Sequence, residues 1–221
     1  MAFREQFEIP AKYKMWSMIL MGVGVLAVVV GYFLYGTGDE HDNSRFWGTL
    51  LFNSVFFLLV VNAAMFFICA TTLAMGAFQM AFRRVSEAIA AAVVPLGIIS
   101  CVVLLALVLG HKHHIYHWLS PEGDKILEGK SGFLNATFFI VWTILAIGGW
   151  IGLGYKMRAI SKEIDDRDGL SVEEGKKYIW KNTVWAALFL VWFGLTVMST
   201  VPWLWLMSLD AHWYSTMYSW Y

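Results

Sequence analysis

Six histidines stand in this chain, and their placing is the first sign of chemistry. His41 is alone. His111, His113, His114 and His117 crowd into the run GHKHHIYHW, and His212 follows Asp210 by two residues. Imidazole titrates near neutral pH, so it can take or release a proton under ordinary conditions. In a helix, His113 and His117 would share a face at i, i+4, and His114 and His117 at i, i+3. Three readings stay open for the run: hydrogen bonding to lipid headgroups or loop carbonyls, proton handling linked to quinol oxidation, and metal or haem ligation. An acid and a histidine two apart, Asp210 and His212, could relay protons. Such an acid also commonly caps a helix or binds water.

The elements that must carry these residues are apolar. Of 221 residues, 59% are hydrophobic and only 14% are charged, and the mean hydropathy is +0.60. Soluble domains are nearer to about 25% charged. The uncharged residues run together in blocks long enough to cross a bilayer core of about 30 Å, which takes roughly 20 residues. Five spans are expected, at 15–35, 46–82, 88–110, 133–157 and 183–207, so the fold class is an all-α integral membrane bundle. Repeated ten-residue alternations, the mark of membrane strands, are missing. The second block, as one helix, would be roughly 50 Å long and would have to tilt or protrude.

Lysines and arginines divide 12 to 4 between the two sides of such a bundle. The rule that cytoplasmic loops hold the excess puts the N-terminal segment 1–14 in the cytoplasm. All six histidines then fall on the outer side. Between the fourth and fifth spans, Gly169 reads as a helix stop. Ser171 and Glu174 read as a capping box, and a cytoplasmic helical hairpin around 158–182 is expected. The N-terminal segment lacks the layout of a cleavable signal peptide.

Other features bound the function. Net charge is zero, so nothing argues for nucleic acid. Cys69 and Cys101 sit in apolar runs and read as small hydrophobes rather than as a disulfide. There is no CxxCH for covalent haem, and no histidine at mid-depth of a span. No Asp, Glu, Lys or Arg lies at the centre of a span, where pumps and ion transporters usually carry them. Milder polar residues (Asn53, Ser54, Asn62, Thr71, Thr72, Gln79, Ser100, Asn135, Thr143) read mostly as interhelical hydrogen bonds. Gly148 and Gly152 make a GxxxG step that favours close packing. After position 207 comes SLDAHWYSTMYSWY, whose Trp213, Tyr214, Tyr218, Trp220 and Tyr221 suit an interfacial aromatic belt. A segment 208–221 leading toward a further span is the expectation, with the chain as the front part of a longer protein.

The stretch WLMSLDAHWYSTMYSWY resembles the NrfD-like polytopic subunits of bacterial alternative complex III, and is most similar to the ActF branch of that family. Family chains carry an MSLDPHWYST-like segment after the fifth span and are about twice this length. The GHKHHIYHW run is also similar to the family's histidine-rich outer segment. Ala211 departs from the pattern, which has proline there, and this bears on the local turn. The resemblance implies a multi-pass subunit of the bacterial inner membrane, in a complex that takes electrons from menaquinol or ubiquinol. It implies partners: a second NrfD-like homologue, an iron–sulfur subunit, c-type cytochromes with haem c, and a terminal oxidase or cytochrome c as acceptor. It implies no cofactor in this chain, and roles in scaffolding, proton conduction or quinone contact. The residues on which such chemistry would rest are His111, His114, His117, Asp210 and His212. Two other classes fit the same spans. One is a cofactor-free structural subunit, like the third subunit of haem–copper oxidases. The other is half of a transporter, which should show an internal repeat and broken helices. No repeat is visible, and Pro95 and Pro202 are the prolines within spans.

Overall fold

The computed structural model describes residues 9–76, 78, 81–121, 123–165 and 169–212. The terminal aromatic residues Trp213, Tyr214, Tyr218, Trp220 and Tyr221, Gln79, and the first eight residues lie outside these. The described chain is all-α, without a strand, and five helices are long and apolar enough to cross a membrane. They make a multi-pass membrane protein. The chain divides into two compact units, Met1–Thr49 and Leu50–Tyr221.

The first unit holds α1 (Ala11–Gly31), a wide π-helical turn at Tyr32–Gly36, and the start of α2 (Glu40–Leu73). No residue of α1 is buried, although its side chains are almost all apolar. Such a helix suits hydrocarbon rather than water. The turn back is tight. Asn43 donates from Nδ2 to the Gly36 carbonyl at 2.7 Å, and the Phe46 ring lies edge-on to Tyr32 at 6.2 Å.

In the second unit α2 ends nine residues short of the expected boundary at 82. Gly76 N–H donates to the Thr71 carbonyl and Met75 N–H to that of Thr72. Met75 takes a left-handed φ of 52°. This is the six-to-one and five-to-two pattern of a Schellman cap. The backbone therefore closes the helix inside an uncharged stretch, but α2 begins earlier than expected, at Glu40, and its 34 residues still run about 51 Å. The next span is also divided. α3 (Arg83–Ala90) is followed by a turn at Ala91–Ala92 and by α4 (Val93–Leu109). Pro95 has no N–H to give to Ala91, so it sits in the first turn of a new helix, where that donor is not needed.

A short helix, α5 (Lys125–Lys130), precedes α6 (Ala136–Asp165) and α7 (Val172–Val197). The ends of α6 and α7 run past their apolar stretches, and Lys181 pairs with Glu163 at 2.9 Å. Ser171 and Glu174 form the expected capping box at the start of α7. Beyond α7 the chain continues as a π-helical segment at Thr200–Leu206, around Pro202, and a 3₁₀ turn at Met207–Asp210.

α6 is the central helix, packed on α4 and on α7. A Cβ at Gly149 would lie 2.1 Å from the Trp192 indole, whereas Gly148 and Gly152 meet nothing within 4 Å. The close-packing glycine is thus Gly149, and the GxxxG pair takes no part in it. Three indoles fasten α6 to the last span. Trp142, Trp150 and Trp205 donate to Thr200, Thr196 and Thr143 at 2.6, 2.8 and 3.0 Å. Several of the milder polar residues bond within their own helix. Ser54, Asn62, Thr71 and Thr72 donate to carbonyls three or four residues back, a local option always open to such side chains. Asn135 caps α6 by accepting from Phe138 N–H at 2.7 Å. Ser100, which donates to the Ser54 carbonyl at 2.9 Å, does cross between helices. Cys69 and Cys101 are free thiols.

Candidate functional site

The histidine run does not continue α4. Lys112 N–H donates to the Leu107 carbonyl and His111 N–H to that of Val108. His111 itself has a left-handed φ of 46°. This is a second Schellman cap, with histidine where glycine is usual. The chain leaves the helix there, so the i, i+4 and i, i+3 pairing of His113, His114 and His117 does not arise. Instead the His111 and His113 rings lie against each other, with centroids 5.8 Å apart. His111 and His117 are exposed and His114 is half-buried.

Between these histidines the loop is nailed down by its apolar members. Ile115, Tyr116 and Trp118 are buried, and the Tyr116 and Trp118 rings contact Phe139 of α6 at 5.4 and 5.7 Å. Tyr116 Oη donates to the Trp205 carbonyl at 3.0 Å, on the irregular segment at Pro202. Burial pushes the Tyr116 phenol up from its ordinary value, so it stays a neutral donor. The hydroxyl thus ties the histidine loop to the end of the last span.

The other two candidates, Asp210 and His212, do come together. His212 N–H reaches Asp210 Oδ1 at 3.3 Å, and the ring nitrogen Nδ1 lies 4.0 Å from the same oxygen. The structure adds a residue that the sequence reading missed. Asp124 Oδ2 sits 2.5 Å from His212 Nε2, while its Oδ1 accepts from Ile126 N–H at 2.8 Å and caps α5. The His212 contact, and after it the Ile126 N–H, hold the Asp124 carboxyl below the usual carboxylate range. The imidazole is therefore flanked by two carboxylates. Lys130 Nζ donates to the Ala211 carbonyl. That bond ties down the turn at Ala211. Asp210 and Lys130 also line a cavity of about 380 Å³ whose other walls include Phe133, Leu134, Trp203 and Met207. His111 and His117 make no hydrogen bond or ion pair with Asp210 or His212.

The capping residue was the legible sign of Asp124, because Asp followed by an apolar turn marks a helix start. What joined it to His212, 88 residues away, was not in the local sequence.

At the opposite end of this unit lies a charged cluster that the sequence reading counted only as loop charge. Arg83 Nε and Arg84 Nη1 each donate to Glu87, at 2.8 Å. Ser161 Oγ of α6 adds a bond to Glu87 at 2.7 Å, and Arg83 Nη2 lies 3.5 Å from Asn182 Oδ1 of α7. The Arg83 and Glu87 side chains are only 9% and 12% exposed. Three helices thus meet at the Arg83–Glu87 pair. Arg at i with Glu at i+3 and i+4 is a readable spacing, though nothing in it tells that the pair is buried. Arg83 and Glu87 also line a cavity of about 300 Å³ between α2, α3, α4 and α6.

Among the described residues no three His, Cys, Asp or Glu side chains gather as a metal site would need. No protein-family model matches the sequence, and no curated protein sequence matches it.

Proposed function

We propose that this chain is a membrane subunit of a quinol-oxidising respiratory complex of the alternative complex III type. In this reading it scaffolds the redox subunits in the bacterial inner membrane, with its N-terminus in the cytoplasm. The observation that supports it best is the arrangement Asp210–His212–Asp124 beside a cavity with apolar walls. Quinol oxidation releases protons, and an imidazole between two carboxylates, one of which (Asp210) lines the cavity, is suited to accept and pass them on. The cavity's Phe133, Leu134 and Trp203 offer a quinol ring an apolar surface, and Asp210 and Lys130 a polar one. The MSLD-x-HWYST resemblance covers the same residues, and the partners it implies carry the haem c and iron–sulfur clusters.

The first test is to tag the chain, extract it in mild detergent and record the reduced-minus-oxidised visible spectrum of what co-purifies. Strong c-type haem bands are expected, because the partners bring haem. A homogeneous preparation with neither haem nor partner subunits overturns the respiratory reading and favours the transporter alternative. The second test takes the assembled complex. His212→Asn and Asp210→Asn are expected to slow quinol turnover by roughly 10²-fold, the low end for a positioned acid–base group. Unchanged turnover with full assembly removes the proton role and leaves a purely structural subunit.

A further inference from the structure

The cavity near Arg83 has walls of two kinds. From α2 and α4 come Met65, Ile68 and Val94; from α6 come Arg158 and Lys162, one helical turn apart on the same face. Opposite stand Arg83 and Glu87 of α3. Glu87 is already neutralised by Arg83 and Arg84. Arg158 and Lys162 are different: neither pairs with an acid among the described residues. The lining therefore has three cations against a single carboxylate, and among the described residues two of those cations have no counter-charge.

Place in the fold sharpens this. α6 is apolar up to Tyr155 and becomes charged at Lys156, Arg158 and Lys162. The cavity thus straddles the level where hydrocarbon gives way to headgroups. Val94 and Tyr155 on its rim are both exposed, so it opens sideways, toward lipid. About 300 Å³ is at the small end of ligand pockets, roughly 300–1,000 Å³. It has room for a headgroup with the first part of an acyl chain, and is small for a whole bulky ligand.

We infer that this cavity binds the phosphate of an anionic phospholipid, held by Arg158 and Lys162, with an acyl chain lying along Met65, Ile68 and Val94. Guanidinium gives a phosphate paired donors in a fixed fork, and the ammonium adds a point charge. The buried Arg83–Glu87 pair stiffens the far wall without taking up the two free cations. The site stands whether or not the respiratory reading holds, since it needs only this chain in a bilayer.

The test uses the full chain in nanodiscs of phosphatidylcholine doped with phosphatidylglycerol, followed by mild detergent exchange and quantification of the lipids retained. Phosphatidylglycerol is expected to be enriched over its bulk ratio. Arg158→Ala or Lys162→Ala should each cut that enrichment by roughly fivefold, the effect of one cation near a lipid phosphate. Both side chains are exposed, so the fold should tolerate the changes, and gel filtration checks it. Lys176→Ala with Lys177→Ala, on an exposed turn of α7 away from the cavity, should leave retention unchanged. Retention at the bulk ratio in the native chain overturns the proposal. So does an equal loss in the Lys176/Lys177 variant, which would mean diffuse charge. Binding of inorganic phosphate in equilibrium dialysis without lipid enrichment would also overturn it, in favour of a small soluble anion.

Discussion

The two ends of the second unit hold their charges by opposite means. At the arginine end, Glu87 is nearly out of contact with solvent and receives bonds from α3 and α6, while its partner Arg83 reaches α7. At the histidine end, Asp124, Asp210 and His212 are all substantially exposed and stand on loops and short turns. What is buried there is neutral: Tyr116, Trp118 and Trp205. A buried charge commits several helices to one geometry, because leaving it unpaired is expensive. An exposed pair commits little and can open and close. The first end is therefore built for position, and the second for exchange with its surroundings.

Substitutions can break or sharpen this contrast. The largest effect is expected for Glu87→Ala, which leaves Arg83 buried without its carboxylate. A loss of about 3–5 kcal/mol is typical for removing one partner of a buried pair, measured by thermal unfolding in detergent. An effect under about 1 kcal/mol would make the cluster an ordinary surface pair and erase the distinction. Tyr116→Phe comes next. It leaves the buried Trp205 carbonyl without its donor and should cost about 1–3 kcal/mol. Hydrogen exchange at Ile115–Leu119 should then rise together with that at 200–206. If only one segment responds, the phenol does not couple loop to span.

The smallest effect belongs to Asp124→Asn. Asparagine caps a helix almost as well as aspartate, so α5 should persist while the His212 contact weakens. Global unfolding should not change, but exchange at 207–212 should quicken. The same contact sets a pH limit. Because the folded Asp124 carboxyl is held below its ordinary value of about 3.9, its contribution is fully present above that value. It is lost as pH falls through the lower folded one. Protection at 207–212, taken relative to the intrinsic exchange rate at each pH, that is already lost well above pH 4 as the pH falls would show that the carboxylate does not carry the contact.

The five apolar helices and the capping box at Ser171 could be read from the sequence. Each depends on residues close together in the chain. The end of α4 at Leu109 also fell within one residue of the expected 110, whereas the end of α2 could not be read. In both, the residue in the left-handed position is Met75 or His111, and the glycine stands beside it, at Gly76 and Gly110. Composition marks the neighbourhood of the cap but misplaces its centre. The left-handed residue at His111 decides the histidine run, since only a helix continued through His117 would give the shared face, and the backbone leaves the helix first. The Arg83–Glu87 cluster and the Asp124–His212 contact were out of reach for another reason. Their partners lie 74 to 99 positions apart, and only tertiary packing decides whether two charges so far separated are buried or exposed.

The left-handed backbone at His111 also separates two kinds of loss that mutagenesis usually confounds. At most positions, removing an imidazole disturbs the chain that carried it. Here glycine is the residue that the turn would accept most readily, so His111→Gly deletes the ring while relieving strain of about 1–2 kcal/mol. A change in proton handling in that variant would belong to the imidazole alone. A β-branched residue at the same place would distort the turn and report on the backbone instead. The pair of variants gives the histidine loop an internal control for ring chemistry against chain geometry.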